Sequence, residues 1–397
     1  MSVVVDFVQE CRRTVVSGDS MSVKELLSEV RAGDATHVFV NGVLVRDLGV
    51  NLRAGDRVVV VRESIPGRCS ICGRKAFARI PYARLALCRE HFLEFIRRRV
   101  SKVVEEYRLI KSGDTVMASV SGGKDSTAML HILSEFRKSL KFDLMALHVD
   151  QGLPGYSELA RPAVEELSKM SGVPLVMITY RELFNMDFPE LIRRNRSGRP
   201  PCSICGLTRR YIYNAAAVEL RASSVATGHH ADDLAAYALK TLLIHDYDSL
   251  VKLVPRTEPM EGGVAHIRPL YETYERETLL YSIAAELPFV AQPCPYKPRG
   301  VLEDRLKDML NELEREHPGL KLGFLKGIVR NIGSFRAMAR AGGSGIGEVH
   351  LCKVCGLPAS GDVCAFDRFT QRVLGSALGP HTREVVRVRI RGLGTGF

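Results

Sequence analysis

The chain has 397 residues, 56 Lys and Arg against 45 Asp and Glu, ten cysteines and no tryptophan. At roughly 100–200 residues per domain this length predicts two to four domains, and 46% apolar with 25% charged residues excludes wholesale disorder. No apolar run reaches about 18 residues, which argues against a membrane span, and the start MSVVVDFVQECRR lacks the basic-then-apolar order of a signal peptide. A cytoplasmic setting is expected, where cysteines bind metal or do chemistry rather than form structural disulfides.

Residues 1–67 read as a first unit. VVVDF (3–7) and TVV (14–16) predict a hairpin, and Ser22-x-x-Glu25 is a capping box opening a helix that stops near Gly33. THVFVNGVLV then gives two β runs across Asn41-Gly42, and LRAGDRVVVV ends in a further strand. This ββαββ order resembles the β-grasp sulfur carriers of the MoaD/ThiS type. Those work through a free C-terminal Gly-Gly, whereas here Ser64-Ile65-Pro66-Gly67 runs straight on, so a docking or regulatory role is expected.

Residues 68–100 form a cysteine module, Cys69-x2-Cys72-x15-Cys88-x2-His91, with structural-zinc spacing: two close pairs can converge on a tetrahedron. A helix through residue 110 follows, then β runs and helices alternate. The runs are 115–120, 142–150, 173–180 and 223–228, with helices from Ser126, about 158, after 203 and after 232. Such alternation predicts an α/β fold with a parallel sheet covered on both faces and ligands at the C-terminal strand ends. A mostly helical stretch from 273 to about 340 completes a domain expected over 101–345. A glycine-rich joint at 341–347 leads to a second module at 346–370 and a basic tail at 371–397.

The net charge of +11 is localised. Residues 64–100 carry +7 and residues 368–397 carry +5, while 101–367 sum to zero. Concentrated Lys and Arg displace counterions from phosphates, so both segments are expected to touch a polyanion. In the first module the candidates are Arg74, Lys75, Arg79, Arg84 and Arg97–Arg99.

Ser121-Gly122-Gly123-Lys124-Asp125-Ser126 stands between a strand and a helix. Its glycines permit a tight turn that brings backbone N–H groups against phosphates, and the helix N-terminus, Lys124 and the serines complete an anion cradle. Asp125 after the lysine excludes a Walker A loop. The segment resembles the PP-loop of ATP pyrophosphatases, which cleave ATP between the α and β phosphates. His148-Val-Asp150 ends the second strand, and Gly228-His-His-Ala-Asp232-Asp233 follows the fourth. Asp232 and Asp233 could ligate Mg²⁺ or orient ATP, or cap a helix.

Two cysteine sets remain. Cys352-x2-Cys355-x8-Cys364 has Asp367 where a fourth cysteine is expected. A Cys3Asp zinc site, a site completed elsewhere and a metal-free ribbon are all compatible with that spacing. Cys202, Cys205 and Cys294 are too few for a closed structural zinc site; they could be structural thiols, a catalytic disulfide pair, or ligands of a 4Fe–4S cluster with one open iron. Cys11 is left over and is expected to be a small buried hydrophobe.

With the PP-loop, HVDxGxxGY, CxxC, GHHxDD, RPL, CPY and two flanking cysteine modules in this order, residues 68–367 resemble the tRNA 2-thiolation enzymes of the TtuA/TtcA-type PP-loop ATP pyrophosphatase family. The resemblance implies a PP-loop domain between two zinc modules and a homodimer that binds tRNA. ATP with Mg²⁺ would activate the C2 oxygen of a uridine, and sulfur from a carrier protein or inorganic sulfide would replace it. It implies Asp233 and Lys124 as catalytic groups and Cys202, Cys205 and Cys294 as ligands of a 4Fe–4S cluster. Arg209 stands where many members carry a catalytic lysine; a guanidinium stays cationic but is a poor proton donor, which implies charge stabilisation. The alternatives are a lysidine-type ligase, which leaves the three cysteines without work, and a non-catalytic RNA-binding zinc protein.

Overall fold

A computed structural model of the chain describes residues 2–18, 20–298, 300–342 and 350–392. The expected joint at 341–347 lies outside these residues from 343 onward, as do the start of the second module, 346–349, and the tail end, 393–397. No helix among the described residues is long and apolar enough to cross a membrane.

The first unit comprises β1 (Ser2–Phe7), β2 (Arg12–Ser17), α1 (Val23–Glu29), β3 (Ala35–Val40), β4 (Val43–Leu44) and β5 (Arg57–Arg62). Both halves of the Ser22/Glu25 capping box form. Asn41 and Gly42 both have positive φ, as a tight hairpin turn between β3 and β4 requires. The sheet order is β2-β1-β5-β3-β4, with β1 and β5 parallel and the other pairs antiparallel. Val38, Val58 and Val60 face α1 in a small core of their own. Their strand neighbours Phe39 and Val61 point the other way and join the main core, so this unit is packed onto the rest of the chain.

Strands β6 (Ile65–Arg68), β7 (Lys75–Ala76), β8 (Ala78–Ile80) and β9 (Leu85–Leu87) form two short hairpins, and α2 runs over Arg89–Glu106. Two expected boundaries, at 67/68 and 100/101, fall inside β6 and α2: hydrogen-bonded elements cross both.

The main domain follows as β10 (Thr115–Ser119), α3 (Lys124–Leu140), β11 (Asp143–Asp150), α4 (Ser157–Ser171), β12 (Leu175–Thr179), α5 (Tyr180–Phe184), α6 (Phe188–Arg194), α7 (Pro201–Glu219), β13 (Ser224–Ala226), α8 (Ala231–Leu243), α9 (Tyr247–Leu250), β14 (Arg256–Thr257), β15 (Ala265–Ile267) and α10 (Glu275–Ala284). Tyr180 opens α5 rather than ending the third strand, because Thr179 caps that helix through Glu182. The stretch expected to be helical from 273 onward is interrupted over 285–301. Helices α11 (Leu302–Glu316), α12 (Leu320–Arg330) and α13 (Ile332–Ala341) resume after that loop. Strands β16 (His350–Leu351) and β17 (Pro358–Ala359) with α14 (Ala365–Leu374) and α15 (Gly379–Arg391) close the chain.

The main sheet has the order β12-β11-β10-β13-β15-β14, parallel except for the edge pair β14/β15. Its strands alternate between two cores. Val116, Ala118, Leu144 and Ala146 face one that continues into the first cysteine module and α11–α12. Met117, Met145, Leu147 and Val225 face one that includes α7 and the C-terminal module. Successive strands depart in opposite directions from β10, so the crevice beyond β10 and β13 is the topological switch point, where an open α/β sheet binds ligands.

Candidate active site

The turn 120–123 sits at that crevice, between β10 and α3, with Gly123 as the N-cap residue. Ser126 ties it together: its Oγ accepts the Ser121 N–H at 3.0 Å and donates to the Gly123 carbonyl at 3.1 Å. Gly122 has φ +87°, and a Cβ there would sit 3.1 Å from that of Ala160. On the other side of the crevice, a Cβ on Gly228 would meet the Ser126 backbone nitrogen at 2.9 Å. Only glycine lets the segment after β13 lie against the start of α3. The first N–H groups of α3 have no intrahelical acceptor, which leaves a positive, donor-rich concavity.

Around it lies an ion network that sequence reading resolved only in part. Lys124 Nζ is 2.9 Å from Asp125 and 3.0 Å from Glu275. Lys307 Nζ is 2.8 Å from Asp233 and 2.6 Å from the other Glu275 oxygen. Lys321 is bonded to Asp232, which also accepts the Glu275 N–H at 2.6 Å. Glu275, Lys307 and Lys321 were not candidates from sequence, because they belong to α10, α11 and α12 and to no local motif. Burial alone would raise the Asp232 carboxyl, but Lys321, His230 and Lys307 outweigh it and hold it below its ordinary 3.8. Burial likewise opposes charge on Lys124, and Asp125 and Glu275 more than compensate, keeping it an ammonium. His229 is pushed down to about 4 by burial and by Arg268, so it is a neutral imidazole at pH 7. Among the paired aspartates the Asp233 side chain is 48% exposed and that of Asp232 only 5%. Asp233 is the carboxylate an incoming cation can reach.

His148 and Asp150, expected to contribute to this site, lie buried beside it. The His148 Nδ1 is 2.8 Å from the Val120 carbonyl, just before the PP-loop. Asp150 accepts the Gly152 N–H at 2.9 Å and pairs with Arg161. Asp150 thus shapes the turn after β11, and His148 ties that strand to the end of β10.

Cys202 and Cys205 occupy the first turn of α7, and Cys294 lies in the loop 285–301. Cys202 and Cys294 are exposed and Cys205 half-buried. Burial raises the Cys202 thiol, and the adjacent Cys205 and Cys294 raise it further, so the three sulfurs share one locale. The Cys294 loop is joined to the PP-loop directly: Val290 N–H donates to the Gly122 carbonyl at 2.8 Å. Gln151 Nε2 approaches the Cys205 sulfur at 3.1 Å. Arg209, one turn beyond Cys205, is held by the Tyr213 hydroxyl at 2.8 Å, and Tyr213 and Cys205 reinforce its charge.

Two cysteine groups among the described residues offer ligand atoms mutually within 4.8 Å: Cys69, Cys72, Cys88 and His91, and Cys352, Cys355, Cys364 and Asp367. Zinc–sulfur bonds of about 2.3 Å give tetrahedral edges of about 3.8 Å. Cys72 and Cys88 are 3.8 Å apart, as are Cys355 and Cys364. Asp367 is fully buried, with one oxygen 3.2 Å from Cys364 and the other accepting the Gly379 N–H at 2.7 Å. The carboxylate thus completes the second group, and its outer oxygen is fixed by backbone. The Cys202, Cys205 and Cys294 sulfurs form no such compact group among the described residues. Cys11 is half-buried rather than buried, with its sulfur 3.8 Å from the Arg79 carbonyl where the first unit meets the cysteine module.

Residues 93–299 match the PP-loop domain family, and residues 68–93 match the N-terminal LIM domain of 2-thiouridine synthetase TtuA. The tRNA-5-methyluridine(54) 2-sulfurtransferase of Pyrococcus horikoshii is 35% identical over 302 residues, which cover 76% of this chain and 93% of that protein. Its namesake from Thermus thermophilus is 35% identical over 307 residues, covering 77% and 91%. The solved structure of the U34-tRNA thiolase NcsA from Methanococcus maripaludis with its [4Fe-4S] cluster superposes with a TM-score of 0.64 at 25% identity. That match covers 78% of this chain and 97% of the thiolase.

Proposed function

The chain belongs to the PP-loop tRNA 2-thiolation enzymes, and on that premise we propose that it is a tRNA uridine 2-sulfurtransferase. ATP adenylates the uridine C2 oxygen with loss of pyrophosphate. Sulfur then forms a bond to C2, and the C2–O bond breaks as AMP leaves with the oxygen. The observation that supports this most is the hydrogen bond from Val290 to Gly122, which couples the Cys294 loop to the PP-loop. The ATP-handling and sulfur-handling residues are thereby one site.

Ser121, Gly122, Gly123, Lys124, Asp125 and Ser126 receive the phosphates, with Lys124 exchanging its carboxylate partners for phosphate oxygens. Asp233, the exposed member of the pair, would hold Mg²⁺ with Asp125 beside it, while Asp232, bonded to Lys321 and the Glu275 N–H, orients the acidic wall. Gly228 keeps the second wall of the crevice close, and His148 and Asp150 stiffen the third. Arg209, fixed by Tyr213, offers a permanent cation beside Cys205 to stabilise negative charge. Cys202, Cys205 and Cys294 would hold a 4Fe–4S cluster, which when bound supplies an iron without a protein ligand where sulfur can be carried. Zinc is the proposed occupant of both compact cysteine groups. A carrier protein or inorganic sulfide is the proposed sulfur source, and a homodimer the proposed assembly. The order β2-β1-β5-β3-β4 supports a β-grasp reading of residues 1–67, with a docking rather than sulfur-carrying role.

The test is anaerobic reaction of the full chain with ATP, sulfide and an unmodified tRNA transcript, with nucleosides read by mass spectrometry. The parent is expected to form 2-thiouridine and AMP, and Lys124→Ala and Cys202→Ala to form neither or almost none. A Cys202→Ala/Cys205→Ala/Cys294→Ala variant that thiolates normally would overturn the cluster assignment.

A further inference from the structure

Counted along the chain, positive charge collects in 64–100 and 368–397, but folding redistributes it. Arg74, Arg89, Arg97, Arg98 and Arg99 pair with Glu90, Glu286, Glu135, Glu94 and Glu272. Arg383 and Arg387 share Glu219, and Arg389 takes Glu182. Arg68, Lys75, Arg79, Arg84, Arg368 and Arg372 of those segments stay exposed with no ion pair among the described residues, and a further cluster of sparsely paired cations lies inside the stretch that sums to zero. Arg193-Arg194-Asn-Arg196-Ser-Gly-Arg199 holds four exposed arginines in seven residues with no acid. Arg194 has only its exposed helical neighbour Glu190, a pairing of small energetic weight. Among the described residues, no carboxylate reaches the guanidinium of Arg193, Arg196 or Arg199.

This segment is a built turn. The Asn195 side chain accepts the Ser197 N–H at 2.9 Å and donates to the Arg199 carbonyl at 3.0 Å, while the Arg199 N–H reaches Ser197 Oγ at 3.4 Å. Gly198, at φ +73°, takes the bend that a side chain would resist. The turn feeds through Pro200 and Pro201 into α7, whose first residues carry Cys202 and Cys205. Cys202 Sγ in turn lies 3.4 Å from the Tyr296 carbonyl of the Cys294 loop.

We propose that Arg193, Arg196 and Arg199 form the phosphate-binding lip of the sulfur site, gripping the RNA backbone beside the nucleotide presented to the cysteines. The inference rests on the tRNA reading above and adds the surface that carries it. Guanidinium forks match phosphate oxygens bidentately, and fixing them on a stapled turn lowers the entropy lost on binding.

The experiment uses the full chain with Arg193→Gln, Arg196→Gln and Arg199→Gln combined, and an unmodified tRNA transcript titrated from 50 to 300 mM KCl, roughly the range over which counterion release dominates. The expected result is at least about a tenfold weaker affinity at 100 mM salt, with the slope of log K against log salt reduced by about 2–3. Binding of an ATP analogue, metal content and thermal midpoint stay as in the parent. The Arg→Lys triple variant keeps most of the slope, because charge is retained while the fork is lost. Affinity within twofold of the parent with an unchanged slope overturns the proposal. So does unchanged tRNA binding with lost binding of poly-glutamate, which would give the turn to an acidic protein surface. A parent chain that binds no tRNA overturns the functional reading together with this one.

Discussion

Lys321 is 3% exposed, with its ammonium against Asp232, 2.5 Å from Asn311 Oδ1 and 4.7 Å from the centre of the Tyr274 ring. Replacing it by methionine keeps the volume and strands a buried carboxylate, so Lys321→Met should lower the unfolding free energy by roughly 3–5 kcal/mol. Urea titration at pH 7 checks this. The sign of the pH effect follows from the aspartates. Their folded values lie below the ordinary 3.8, so the stability they contribute is present above that value and lost as pH falls through the lowered one. In the variant the unpaired Asp232 carboxyl rises instead, and acid unfolding should begin at higher pH than in the parent. At this scale Ser121–Ser126 were legible because six consecutive residues carry the cradle. Lys307 and Lys321 were not, since a lone lysine on an amphipathic helix has the same sequence appearance whether it faces solvent or a buried aspartate.

Gly228 and Asp367 act through whole elements. A methyl group on Gly228 would press 2.9–3.1 Å against the backbone of Asp125 and Ser126 and move the start of α3 away from β13. Gly228→Ala is expected to cut AMP formation by about a hundredfold while leaving the far-ultraviolet circular dichroism unchanged, as displacements of about an ångström do elsewhere. Asp367 opens the first turn of α14 and, through Gly379, fixes the start of α15. With zinc in both groups as proposed, Asp367→Ala should lower the metal content from about two zinc per chain to about one, and should loosen α14 and α15 against α7, where Tyr211 and Phe366 stack at 3.8 Å. Metal analysis and hydrogen exchange across 350–392 and 201–219 read both effects. The paired cysteines were legible as spacing. Whether Asp367 completes the set was not, because a carboxylate three residues after a cysteine is ordinary until the fold buries it beside the other ligands.

Across the molecule, the first unit is seated on the loop that carries Cys294. Leu44 N–H donates to the Ala291 carbonyl at 3.0 Å, Arg57 is 3.1 Å from Asp308, and Arg13 pairs with Glu312. Reversing the charges on the α11 side, Asp308→Arg with Glu312→Arg, sets like charges against Arg57 and Arg13 while leaving their pairs with the buried Asp6, and should speed proteolytic cleavage near residues 62–67 several-fold, with the fragments read by mass spectrometry.

What the sequence alone determined are features whose meaning is local: the phosphate loop, the capping box, the Asn-Gly turn and the close cysteine pairs, each set by a few neighbouring residues. The alternation of strands and helices also announced a parallel sheet, since period and composition survive without tertiary context. What only the tertiary structure decided is which charges answer which. Coulombic attraction acts through space, and Arg389 finds Glu182 across more than two hundred residues of chain. A sum along the sequence therefore placed the basic surface in 64–100 and 368–397. The fold pairs part of each with acids and adds a further exposed cluster, the arginines of 193–199, just ahead of Cys202 and Cys205.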